Sequence, residues 1–253
     1  MDVSQQLKAT VPQPPSSAEG GAECGAEGGA EWLLNARHRT LWTLVTARLP
    51  PAELAHDQYH LARVYAWALR LAPEAGAEVD LAGATALVHD LVFVPKDSTE
   101  RNQGGERSAT AAPTVLTAAG YHPEEIAQIA EAVRTSSWSR GLTPSGPLGI
   151  LLQDADRLDA IGAIGLLRTA ACGQFMSRSE CPGRFYDPID PLATSARALD
   201  DRTQVVDHLP AKLLRLAGSM RLPSARAEAQ VRQEFLVLFL AQLGHELGVS
   251  RSS

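Results

Sequence analysis

Aromatic residues make up only 5% of the 253-residue chain. With so few aromatic and β-branched runs, no segment alternates apolar and polar residues over a useful length, which argues against a sheet. Cysteine is scarce too: Cys24, Cys172 and Cys181 are odd in number and show no metal or redox spacing. That excludes a disulfide framework and suits reduced thiols in a cytoplasmic protein. No run of Lys and Arg occurs, and the formal net charge is −6. An extended nucleic-acid surface is therefore not expected. No uncharged apolar stretch is long enough to span a bilayer. The opening "MDVSQQLKATVPQPPSS" has neither a charged n-region nor an apolar h-region, so no signal peptide is expected.

What is abundant is alanine and leucine. Hydrophobic residues reach 45% and charged residues 21%, enough apolar material for one core. Residues 1–31, with the repeat GGAE–CGAE–GGAE, are rich in Pro, Gly, Ser and Glu and read as a disordered tail. From Trp32 to about residue 248 the spacing is helical, and the expectation is an all-α single domain of about eight helices. Leu34, Leu41, Leu44 and Val45 share a face that stops at Pro50–Pro51. A second helix runs from about 56 to 72. Asp80 is a plausible N-cap for the helix of "DLAGATALVHDLVF". A polar loop covers 94–105, followed by a helix carrying Pro113 and ending at Gly120. Pro123 suits a first helical position. "GILLQDADRLDAIGAIGLLRTAACG" reads as one long buried helix. A second loop spans 174–200, "DDRTQVVDHL" and "PAKLLRLAGSM" read as two short helices, and an amphipathic helix closes the chain.

Chemistry is signalled at three places. His89 and Asp90 sit in "TALVHDLV" among apolar neighbours. His56 and His60 are spaced i,i+4 on one helix face, with Arg63 one turn beyond His60. Asp154, Asp156 and Asp159 interrupt an otherwise apolar, small-residue run, where buried carboxylates are costly unless paired or bound to metal. Asp156 and Asp159 share a face; Asp154 points elsewhere and can pair with Arg157 at i+3. Taken together, His60, His89, Asp90 and Asp156 supply two imidazoles and two carboxylates. That mixture suits a first-row divalent ion with open water positions, able to hold a phosphoryl oxygen and acidify bound water.

The order of "HDQYHLARV", "ALVHDLV" and "QDADRLDAIGAIG" resembles the HD-domain metal-dependent phosphohydrolase superfamily, in a bacterial branch with the long "QDADRLDAIGAIG" motif. The resemblance covers roughly residues 32–248 and implies that His60, His89, Asp90 and Asp156 bind metal, with Mn favoured among Mn, Co, Ni, Fe, Zn and Mg. It implies hydrolysis of a small phosphorylated metabolite, a nucleotide first of all, with deoxynucleoside triphosphate pyrophosphohydrolase action assigned to relatives of this branch. Candidate catalytic residues are Asp90, Asp159 and Lys96. Asp159, or an acid of the 97–106 loop, is placed to orient water or protonate the leaving group. Candidate substrate contacts are Arg63, Lys96, Arg101, Ser108, His208 and Lys212, since Lys and Arg carry phosphate without much desolvation cost. Tyr186 and Asp187 in "FYDPIDP" read either as a lid or as a packed surface loop.

Two departures bear on substrate and turnover. Relatives that cleave guanosine tetraphosphate carry acids where Phe93 and Val94 stand, which argues against that substrate. Close relatives often carry histidine at about Ser136. That loss lends weight to an alternative, a metal-binding sensor with the same fold and little turnover, whereas Lys96, Arg101 and Lys212 favour an enzyme. The apolar stripe Phe235, Leu238, Phe239 and Leu243 on the last helix leaves a homodimer open.

Overall fold

The computed structural model describes residues 30–51, 53–95, 98–100, 102–137 and 140–249. Among them the chain is all-α: nine α-helices, no strand, and one isolated bridge between Arg184 and Gln204. The expected tail falls outside the described residues, apart from a 3-10 turn at Ala30–Trp32.

Local chemistry explains most helix ends. Helix α1 (Ala36–Thr46) starts where the Asn35 side chain accepts the His38 N–H. Leu41 and Val45 are buried, but Leu34 precedes the helix and is exposed rather than on its inner face. Helix α2 (Gln58–Ala75) is capped by Asp57, which accepts the His60 N–H at 2.8 Å, and ends at Gly76 with φ +70°. Helix α3 (Val79–Val88) begins two residues earlier than expected, with Glu78 at the cap and Asp80 in the first turn. There Asp80 serves other elements, bonding Arg37 at 2.7 Å. Helices α4 (Gly104–Ala118) and α5 (Pro123–Arg134) follow, the latter with Pro123 at its start and Glu125 Oε2 accepting the His122 N–H at 2.6 Å.

Every residue of α3 from Leu81 to Val88 is buried, and the helix touches α1, α2, α4, α5 and α6 (Gly146–Asp159). It is the centre of the bundle. Gly83 permits this: a Cβ there would stand 2.4 Å from His38 Cε1 and 2.8 Å from Tyr65 Cε2. His38 in turn bonds the Tyr65 hydroxyl at 2.8 Å and the Asp80 carbonyl at 2.9 Å, so the tight crossing leaves its polar atoms paired.

The single long helix expected over 149–173 is two. Helix α6 stops at Asp159, Ile161 is extended, Gly162 takes φ +77°, and α7 (Gly162–Met176) sets off in a new direction. Only glycine adopts that φ cheaply. Gly165 lets the corner close, since a Cβ on it would lie 2.2 Å from the Ala160 carbonyl oxygen. The two short helices expected over 200–220 are instead turns to His208, a π-helical turn Leu209–Leu213, a short α8 (Leu214–Leu216) and a 3-10 turn. Helix α9 (Pro223–Glu246) packs Leu236 and Leu240 into the core and leaves Phe235 and Leu238 exposed, with Phe239 and Leu243 partly buried. Among the described residues no helix is long and apolar enough to cross a membrane.

Candidate metal centre and active site

Three elements converge. His60 comes from the first turn of α2, His89 and Asp90 from the C-terminal end of α3, and Asp156 from the last turn of α6. Donor atoms of His60, His89 and Asp156 all lie within 4.8 Å of one another. Asp90 Oδ2 is 3.5 Å from His60 Nε2 and 3.6 Å from His89 Nε2; Asp156 Oδ1 is 3.7 Å and 3.9 Å from the same nitrogens. The two imidazoles are buried, and the two carboxylates are about a third exposed, at 35% and 38% of the side chain. One side of the cluster is therefore open, toward a cleft beside Asp90 lined by His56, Val92, Phe93, Val94 and Gly104.

The ring nitrogens facing away from the cluster are spoken for. His60 Nδ1 lies 2.7 Å from Asp159 Oδ2, and His89 Nδ1 lies 2.7 Å from the Ala86 carbonyl oxygen. An acceptor at each Nδ1 makes that nitrogen the donor and leaves the Nε2 lone pair directed inward. Both Nε2 atoms are buried and have no hydrogen-bond partner. A buried polar atom without a partner costs about 1–3 kcal/mol; two of them aimed at one point beside two carboxylates fit a divalent cation. The α3 C-terminus adds negative potential at the same place.

The two carboxylates agree with this reading. Burial would raise the Asp90 carboxyl, yet His89, His60 and His56 outweigh it and hold Asp90 well below the ordinary carboxylate range. Burial likewise opposes ionisation of Asp156, and His89 and His60 overcome it despite Asp90 nearby. His60 is raised: burial and Arg168 oppose its protonation, but Asp159 and Asp90 prevail.

Asp159 stands behind His60. Its side chain is 1% exposed, with Arg63 Nε at 2.6 Å and Arg168 Nη1 at 3.1 Å as well as the His60 ring. Burial would raise it, but the His60 and Arg63 bonds and the Arg168 charge hold it far below the usual range. The expectation that Asp159 orients water or protonates a leaving group is corrected: the carboxylate is sealed from the cleft and committed to the His60 ring and to the guanidiniums of Arg63 and Arg168. Arg63 directs its guanidinium to Asp159 through Nε and Nη2.

Other expected residues fall elsewhere. Asp154 attracts Arg157 by charge, but its carboxylate accepts the backbone N–H groups of Arg221 and Leu222, at 2.9 and 2.7 Å, while Arg157 bonds Gln153 and Ser219. Ser108 is fully buried, and its hydroxyl accepts the Val92 N–H at 3.1 Å, so it anchors the turn after Asp90 instead of meeting substrate. His208 is half-buried with Nδ1 3.0 Å from Asp201 Oδ2, and Lys212 is half-buried in the π-helical turn. Lys96 and Arg101 lie outside the described residues. Of the two readings of Tyr186 and Asp187, a lid or a packed surface loop, the contacts fit the second: Tyr186 packs on the core, Asp187 accepts the N–H groups of Ile189 and Asp190, and Arg197 joins Asp190 to the buried Asp207. Ser136 lies beside the start of α4, its hydroxyl 3.3 Å from where a Cβ on Gly105 would stand.

Arg168 was not singled out in the sequence. It pairs with Asp159 and donates to the Ala55 carbonyl at 2.6 Å, locking α7 to the segment before α2. Its one sequence signal is a lone charge within the apolar stretch "AIGLLRTAA".

An all-α bundle with a His/Asp cluster at the end of its central helix defines a class, the metal-dependent phosphohydrolases built on helices. Residues 58–161 match the HD domain family, a span that holds all four clustered residues. The protein YpgQ of Bacillus subtilis is 30% identical over 209 residues, covering 81% of this chain and 91% of that protein. A structure of YpgQ in complex with ADP superposes with a TM-score of 0.60 at 26% identity, covering 83% of this chain and 97% of the other. A Lactobacillus plantarum protein gives a TM-score of 0.67 at 26% identity, over 85% of this chain and 99% of that one. An HD-superfamily hydrolase of Bacillus thuringiensis gives 0.61 at 27%, over 85% and 98%. The chain belongs to the HD domain family.

Proposed function

We propose that this protein hydrolyses a phosphoester or phosphoanhydride bond of a small nucleotide, with His60, His89, Asp90 and Asp156 holding one divalent ion. The observation that carries the proposal is the pair of buried Nε2 atoms, without partners, facing two ionised carboxylates. When bound, such an ion polarises a phosphoryl oxygen and acidifies water; manganese is the favoured candidate. The residues of the chain do the rest. Asp159 and Ala86 fix the two imidazoles in the tautomer that presents Nε2. Ser108 holds the turn after Asp90, and the cleft beside Asp90 admits a ligand from the open side. Lys96, Arg101 and Lys212 are proposed phosphate donors, a role suited to their charge. The binding of ADP by YpgQ supports a nucleotide as the ligand class, and deoxynucleoside triphosphates head the panel to be tried.

The test is release of phosphate or pyrophosphate from a panel of ribo- and deoxynucleotides with added manganese, cobalt or magnesium. The proposal expects turnover of at least one nucleotide and a fall of about a hundredfold or more in His89→Ala, because a metal ion contributes several kcal/mol to the barrier. Equal behaviour of wild type and His89→Ala across the panel would defeat it. Metal binding without any turnover would favour the sensor reading, which the serine at 136 motivates.

A further inference from the structure

A second group of donors lies beside the first. Glu53, His56 and Cys172 each offer one ligand atom, and the three atoms all lie within 4.8 Å of one another. They share no residue with the four-residue cluster. Two come from the segment before α2; the third comes from α7, far along the chain. The juxtaposition is fixed from both sides. Arg168 and Cys172 are four residues apart and so lie on one face of α7. Arg168 Nε donates to the Ala55 carbonyl at 2.6 Å, clamping that face onto the 53–56 segment. Glu53 is 5% exposed, and its carboxylate accepts the N–H groups of Ala55 and His56 and faces His56 Nδ1 at 2.8 Å. The segment is thus a formed turn, not a chance approach of mobile side chains.

We propose that Glu53, His56 and Cys172 form a second cation site, selective for a thiophilic divalent ion such as zinc. A thiolate, an imidazole and a carboxylate are the donor types zinc takes, with bonds of about 2.0–2.3 Å. Three such ligands around a tetrahedral ion stand roughly 3.3–3.8 Å apart; the three donor atoms lie within 4.8 Å of one another, and the 2.8 Å contact of His56 Nδ1 with Glu53 opens slightly where that nitrogen takes the ion. Magnesium and calcium prefer oxygen donors and gain little from the thiol. The His56 and His60 rings are 6.0 Å apart, and His56 also lines the cleft beside Asp90. An ion held here adds positive charge to the cleft wall, on the side from which an anionic ligand enters.

Sulfur makes the site separable from its neighbour, because none of His60, His89, Asp90 and Asp156 can give a metal–thiolate signal. The full chain carrying Cys24→Ser and Cys181→Ser is titrated with cobalt(II) and followed by near-ultraviolet cobalt–thiolate charge-transfer absorption. The expected result is a band that saturates with one ion and is bleached by zinc. It is lost in Cys172→Ser, weakened about tenfold or more in cobalt affinity by His56→Gln, and kept in Asp156→Asn, where the other cluster is broken. No band in the parent, the same band in Cys172→Ser, or an affinity untouched by His56→Gln would overturn the proposal. Failure of the nucleotide assay would leave this spectrum unchanged, so the two readings fall separately.

Discussion

Asp159 shows at the scale of one residue how a carboxylate acts without touching the cleft. It faces His60, Arg63 and Arg168 at once, so it sets both the ring orientation of His60 and the position of α7. Partners behind a metal-binding imidazole are worth about 10–100-fold in metal affinity. Asp159→Asn is therefore expected to weaken manganese binding by that factor in titration calorimetry; unchanged affinity would show that His60 is held by something else. Asp190 makes a second case. Burial would raise its carboxyl, but bonds from Ser195 and Thr194 hold it far below the ordinary value. A depressed folded value means that the unfolded chain binds more protons in acid. The stabilisation is then complete above the unfolded value of about 3.9 and drains away as pH falls below it. Thermal midpoints of wild type and Asp190→Asn should accordingly differ at neutral pH and converge below about pH 4; a gap that stays constant into acid would refute the account. The roles of these residues were only partly legible. Helical spacing paired Asp156 with Asp159, but the commitments of Asp154 and Ser108 depend on backbone groups 67 and 16 positions away, which no local pattern shows.

Among the elements, the corner between α6 and α7 matters most. It ends α6 directly after Asp159 and turns α7 so that Arg168 comes back onto Asp159 and Ala55. The sequence looked continuous there because alanine, isoleucine and glycine all tolerate a helix. The break is set by Gly162 at φ +77° and by the close approach of Gly165 to Ala160, which are properties of packing. Gly165→Ala would drive a methyl into the Ala160 carbonyl. It is expected to cost about 1–3 kcal/mol in denaturant unfolding, and to weaken metal binding with it because Asp159 moves. Stability equal to wild type would mean that the corner is not strained by a side chain. Helix α2, in contrast, was readable to within two or three residues, about 56–72 expected against Gln58–Ala75, and its ends are set by local devices, the Asp57 cap and the Gly76 stop.

For the whole molecule, the family's arrangement explains why a buried helix ends in two polar residues. Helix α3 is enclosed on all sides, and His89 and Asp90 stand where it opens onto the cleft. The bundle brings α2 and α6 to the same end, so segments almost 100 residues apart supply one set of donors. The most direct measurement is anomalous diffraction from crystals of the full chain grown with manganese. The account expects a strong anomalous peak between the His60 and His89 Nε2 atoms, at roughly 2.0–2.3 Å from each, with Asp90 and Asp156 oxygens completing the set. A well-ordered cluster with no peak there, or a peak that leaves either histidine without a bond to the ion, would contradict it.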